Sequence, residues 1–281
     1  MSDLHSINEA INKKAGRKLL PSIVVGLSLI ALVWFTLSYQ REIFAIVVAV
    51  AVILGVRELV RAFSARGIVI SFNGLTLAAI GLSYAAWVGG VAGLAVATAI
   101  AFPLLLIRAL LHGPEGFVAK ATATTFGLLY LPFLAGFLIL LARPSTGFQR
   151  VMTFVVLVGC NDTFGYIVGV LLGKHPLVPK ISPKKTWEGL AGSLIFTMIG
   201  GALAFEYIMD MHWWIGIIVG LMIVFTATCG DLIESAMKRD LSLKDMGTLL
   251  PGHGGMLDRL DSVVLSSPAM WLALELVKHF L

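Results

Sequence analysis

Between Gly67 and Ile107 the chain runs for 41 residues without one Asp, Glu, Lys or Arg. A helix that crosses a bilayer needs about 20 consecutive, mainly apolar residues. The run is twice that length, so it must hold two spans, and Gly89-Gly90 near its middle offers the turn between them. Composition agrees with this reading. Of 281 residues 58% are hydrophobic and 13% charged, where a soluble domain carries about 25% charged residues, and the mean hydropathy is +0.93. An ordinary soluble globule and a disordered chain are both excluded. The net charge of +5 therefore bears on membrane topology, and no nucleic-acid partner is expected. Cys160 and Cys229 both lie in apolar runs, so no disulfide framework can be read.

Uncharged runs separated by basic loops predict an all-α, polytopic integral membrane protein with about nine transmembrane helices. The spans fall near 19–38, 43–60, 72–88, 91–109, 121–142, 151–172, 189–209, 213–233 and 263–281. The first is longer than a signal-peptide core and no A-x-A site follows it, so it is read as retained. Glu275 and Lys278 interrupt the last, which leaves an eight-span version open. Residues 1–150 hold spans one to five. Residues 151–281 form a C-terminal catalytic membrane region with loops at 173–188 and 234–261. With nine spans, 17 Lys and Arg fall on the side of the N-terminus and 4 on the other. Basic residues are retained in the cytoplasm, so the N-terminus is expected inside.

The polar residues gather in two places. Residues 231–261 contain Asp231, Glu234, Asp240, Asp245, Asp258 and Asp261, six of the sixteen acids, interleaved with Lys238, Arg239, Lys244 and Arg259. A solvated loop would also give such a mixture, but three details point elsewhere. Asp231 directly follows an 18-residue apolar run, at the membrane boundary, where an unpaired charge is costly. If that helix continues, Asp231, Glu234, Ser235 and Lys238 line one face. Asp258 and Asp261 are likewise three apart, just before the last span, so two helix ends can present hard oxygen ligands of the kind Mg²⁺ accepts. Between them Pro251-Gly252-His253-Gly254-Gly255 cannot be regular helix, and its glycines would let backbone N–H groups approach an anion. The second cluster is Gly173-Lys174-His175 with Ser182-Pro183-Lys184-Lys185-Thr186-Trp187-Glu188-Gly189. It reads either as a basic anchor on anionic lipid or as lysines and a hydroxyl that collect polyphosphate oxygens. Asp162 sits within the sixth span, where a carboxylate is a functional candidate by default.

The 27 residues from Ser235 to Asp261 resemble the signature of the phosphatidate cytidylyltransferases, S-x-x-K-R-x4-K-D-x-G-x3-P-x-H-G-G-x2-D-R-x-D, at every fixed position. Asp162-Thr163-Phe164 and the segment from Ser182 to Gly189 also look like pieces of that family. The resemblance implies a Mg²⁺-dependent condensation of CTP with phosphatidic acid to CDP-diacylglycerol and pyrophosphate. It further implies a potassium ion beside the Mg²⁺, a homodimer and an inner-membrane enzyme whose active site faces the cytoplasm. Its metal-binding aspartates fall on Asp231 and Asp258, with Asp261 as helper. Lys238, Arg239, Lys244 and Arg259 are then expected on the phosphates of lipid and nucleotide. Lys184, Lys185, Thr186, Ser235, Asp245, His253, Gly254, Gly255 and Asp162 complete the expected binding set. The rivals are a CTP-dependent polyprenol or dolichol kinase, which would release CDP, and a secondary transporter, which would show broken helices in two matching halves.

Overall fold

The computed structural model describes residues 19–111, 113–247 and 254–280, the side chains of 19–25 and 280 excepted. Helices follow the apolar runs: α1 (Leu19–Tyr39), α2 (Arg41–Ser64), α3 (Phe72–Leu110), α4 (Phe117–Ala142), α5 (Gly147–Leu172), α6 (Trp187–Tyr207), α7 (Trp213–Asp240) and α8 (Leu257–Phe280). The one strand pair among the described residues is an antiparallel hairpin, β1 (Pro176–Val178) and β2 (Ser182–Thr186), between α5 and α6. No strand was expected in that basic loop. Seven of these helices are long and apolar enough to cross a membrane. Their outward faces are apolar as well, Leu77, Tyr84 and Phe225 each being 70% exposed, which is the surface that lipid rather than water would cover.

Helix α3 turns back on itself. Gly90 has φ 63 and ψ −148, outside the helical region, and a Cβ placed on Gly74 would meet the side chains of Leu105 and Arg108. A straight helix of 39 residues would hold its ends about 58 Å apart, so the contact requires two antiparallel arms. Arg143 fixes the reversal by donating to the carbonyls of Trp87 (2.7 Å) and Val88 (3.1 Å). In α4 the turns loosen to a π-helix over Leu129–Phe133. Pro132 lies within it and has no N–H to give the ladder.

Helices α5 to α8 pack in chain order, with α2 and α4 against α8. Small residues bring the first three together. Gly165 and Gly169 of α5 face Gly189 and Ser193 of α6, and Gly201 of α6 meets Gly216 of α7 backbone to backbone. Adding a methyl at Gly216 forces those backbones apart. Gly216→Ala should therefore cost about 1–3 kcal/mol in overpacking. Gly81→Ala, with nothing within 4 Å, should be neutral or stabilising by up to about 1 kcal/mol from helix propensity. Denaturant unfolding in detergent measures both.

Candidate active site

One end of the bundle carries nearly all of the polar chemistry. Helix α7 does continue past the apolar run, to Asp240, so Asp231, Glu234, Ser235 and Lys238 share a helix face. Helix α8 begins at Leu257, placing Asp258 and Asp261 in its first two turns. The connecting loop is therefore shorter than the 234–261 read from sequence. Gly230 sets the distance between the two helices: a Cβ there would strike the backbone carbonyl of Asp261. Asp231 follows Gly230 directly, so this close approach sets Asp231 and Asp261 near one another on facing helices. Asp162 of α5 arrives beside them. It accepts from Asn161 Nδ2 (2.9 Å) and from Ser262 Oγ (3.4 Å). Lys185, from β2, forms an ion pair with Asp231.

Asp258 belongs to a neighbouring cluster. Lys238 Nζ lies between Glu234 Oε2 (2.6 Å) and Asp258 Oδ1 (2.9 Å). The other oxygen of Asp258 accepts the N–H groups of Gly255 (2.7 Å) and Met246 (3.2 Å). Asp258 thus ties α7, the loop after it and the start of α8 into one unit. Gly254 adopts φ +78, and a Cβ on it would crowd the Asp258 carboxylate, so glycine is required there. The expected phosphate cradle therefore serves the loop itself at Gly255, whose N–H is taken by Asp258. His253 lies outside the described residues, as does Gly252.

The hairpin is pinned to this end of the bundle. Arg239 donates to the carbonyl of Ile181 (3.2 Å), and Glu188 accepts from the backbone of Lys174 (3.1 Å) and His175 (3.3 Å) and from His175 Nδ1 (2.6 Å). Thr186 caps α6 through Gly189 N–H (3.1 Å), which is how the chain stops being strand and becomes helix. Alternation along β2 sends Lys184 to the opposite face from Lys185, and Lys184 is exposed. Lys244 and Asp245 are exposed on the loop, while Ser235 and Arg259 are half-buried.

Sequence reasoning missed the contribution of α2. Glu58 is 5% exposed, and its two oxygens accept the N–H groups of Met256 (3.0 Å) and Leu257 (2.8 Å) at the start of α8. A carboxylate there satisfies orphan donors and meets the positive end of the helix dipole. Arg66 closes the other junction by donating to the carbonyls of Asp240 (3.0 Å) and Leu241 (3.1 Å) at the end of α7. The signal was present: Glu58 is an acid within an apolar run, the same criterion that singled out Asp162.

All-oxygen carboxylate donors at Asp231 and Asp261 suit a hard divalent cation, and two neighbouring carboxyls favour a cation between them. As the side chains stand, no three acid, histidine or cysteine groups among the described residues close on one point. Glu58→Ala should leave the α8 N-terminus uncapped, costing about 0.5–2 kcal/mol. Hydrogen–deuterium exchange should quicken at Met256 and Leu257 while the α5–α6 interface is unchanged.

The sequence has counterparts among known proteins. A family model describing the cytidylyltransferase family matches residues 21–277, and the chain belongs to that family. Phosphatidate cytidylyltransferases of Mycobacterium leprae and Mycobacterium bovis are 38% and 36% identical to it. Both alignments cover 94% of this chain and 90% of the relative. The phosphatidate cytidylyltransferase of Staphylococcus haemolyticus is 38% identical over 136 residues, 48% of this chain and 52% of its own.

Proposed function

We propose that this chain is a phosphatidate cytidylyltransferase, condensing CTP with phosphatidic acid to give CDP-diacylglycerol and pyrophosphate. The observation that carries the reading is that three helices bring Asp162, Asp231 and Asp261 to the same end of an apolar bundle. The family membership and the full-length phosphatidate cytidylyltransferase relatives support it. A lipid phosphate oxygen attacks the α-phosphorus of CTP, and the bond from that phosphorus to the β-phosphate bridging oxygen breaks. The nucleophile is anionic at neutral pH, so no strong base is needed. Repulsion between two anions is the obstacle, and positioning and charge neutralisation are the protein's tasks.

Asp231 and Asp261 would hold Mg²⁺, with Asp162 near. When bound, the ion would neutralise triphosphate oxygens and ease the departure of pyrophosphate. Lys185 stands on a hairpin and forms its ion pair with Asp231, so a substrate phosphate can take it over. Lys238 and Asp258 hold the loop in register, which makes Asp258 a positioning residue in this reading. Arg239 and Thr186 do the same for the hairpin. Lys184, Lys244 and Arg259 are assigned to the phosphates on the resemblance. The potassium ion and the homodimer belong to this reading on the resemblance alone.

The membrane placement follows the same line. We take the two arms of α3 as separate crossings, which with α1 makes nine. The site end carries Arg57, Arg61, Arg66, Lys184, Lys185, Lys238, Arg239 and Lys244, whereas Arg41, Arg143 and Arg150 lie at the other end. The positive-inside rule sets the site end in the cytoplasm, where CTP is found, and the N-terminus on the same side of an inner membrane. Phosphatidic acid would enter sideways with its acyl chains among the helices.

The test is transfer of label from CTP into extracted lipid at saturating Mg²⁺, with pyrophosphate as the released product. Asp231→Asn and Asp261→Asn should each lower the rate by about 100-fold or more, as removal of a main charge-stabilising group does. Asp258→Asn should lower it less, by about 10–100-fold, as loss of an orienting group does. Near wild-type rates in the first two would remove the assignment, and CDP in place of pyrophosphate would indicate a kinase.

A further inference from the structure

Beside the acid cluster lies a cavity of about 660 Å³, between the site end of α2 and the loop that follows α7. Leu54, Ala62, Ala65 and Leu243 give it an apolar floor, and Arg57, Arg61 and Lys244 supply its charge. Arg57 and Arg61 are one helical turn apart, so both guanidinium groups rise on the same face of α2. Neither has a hydrogen-bond or ion-pair partner among the described residues, nor does Lys244. Two acids also line the cavity. Glu58 spends both oxygens on the backbone of Met256 and Leu257, and Asp245 makes no ion pair among the described residues. Met246 also lines the cavity, and its N–H is held by Asp258 of the neighbouring cluster.

Like charges at i and i+4 destabilise a helix when nothing stands between them. Other arginines of this end cap carbonyls: Arg66 those of Asp240 and Leu241, Arg239 that of Ile181. Among the described residues Arg57 and Arg61 cap nothing, yet they line one cavity together with Met246, whose N–H Asp258 holds. Guanidinium forks match phosphate oxygens in geometry as well as charge. We propose that Arg57 and Arg61 of α2, with Lys244, bind a substrate phosphate in this cavity, so that the N-terminal helices supply part of the substrate site. The proposal rests on the reaction given above. The phosphate belongs either to the CTP polyphosphate or to the phosphatidic acid headgroup, and kinetics separates the two.

The variants are Arg57→Gln, Arg61→Gln and the double substitution, with Arg57→Lys and Arg61→Lys to retain charge. Lys180→Gln serves as control, since it removes an exposed cation of the hairpin at the same end but outside the cavity. Both arginines are exposed, so the variants should fold, which size-exclusion and thermal unfolding in detergent would check. KM is measured separately for CTP and for phosphatidic acid in mixed micelles. Each Gln substitution should raise KM for one substrate by about 10-fold or more, the loss of one charge-assisted hydrogen bond. The Lys variants should recover part of it, and Lys180→Gln should leave both constants unchanged. A rise for CTP alone assigns the polyphosphate, and a rise for phosphatidic acid alone assigns the headgroup. Unchanged KM for both substrates in the double variant overturns the proposal, as does an equal rise in Lys180→Gln. If the wild-type protein transfers no label, the reaction itself is wrong. The cavity is then judged by calorimetry with pyrophosphate: binding lost in the double variant sustains it, and no binding to wild type ends it.

Discussion

A carboxylate at the end of an apolar helix cannot be left to itself, because neither lipid nor packed side chains can replace its water. This constraint organises the functional end of the molecule. Glu58 meets the bare N–H groups at the start of α8. Asp258 is answered by Lys238 and two backbone donors, and Asp231 by Lys185. Each solution ties together two pieces of chain that are distant in sequence. The acids therefore do structural work even before any substrate arrives, and the arrangement that results is a charged pocket at a membrane edge.

Backbone proximity makes this possible. Gly230 against Asp261, Gly201 against Gly216, and Gly165 with Gly169 against Gly189 let helices touch without side chains between them. In a bilayer no hydrophobic gain favours one apolar helix pair over another, so close packing of small residues has to supply the specificity. The glycines also place the chemistry. Residues next to such a contact are held at a fixed separation, which is why Asp231 and Asp261 stand near one another. Lys185 reaches the same point from a hairpin whose end is fixed by the Thr186 cap and by Glu188.

Part of the site was legible in the chain because its residues are close in sequence and follow helical spacing. Asp231, Glu234 and Lys238 share a face once α7 is helical to Asp240. Asp258 and Asp261 stand one turn apart, and a lysine-rich segment was expected near them. The pairing among these groups was not legible. Asp231 stands near Asp261, whereas Asp258 joins Glu234 and Lys238, because the contact at Gly230 fixes the relative rotation of two helices that periodicity treats separately. Glu58 was overlooked since its partners are 198 and 199 residues away.

By itself the sequence determined that this is a bundle of membrane helices, roughly where each helix runs, and that one end is basic. Those features come from uncharged runs, from their length against the bilayer, and from the distribution of lysine and arginine, all of them local. The break at Gly90 was also visible, as a glycine pair in the middle of a run too long for one span. Only the tertiary structure decided that α2 belongs to the site, that the basic segment before α6 is a hairpin bound to Asp231, and which carboxylates stand together. Those outcomes depend on how helices rotate and approach one another in three dimensions, and neither hydropathy nor spacing along one helix carries that information.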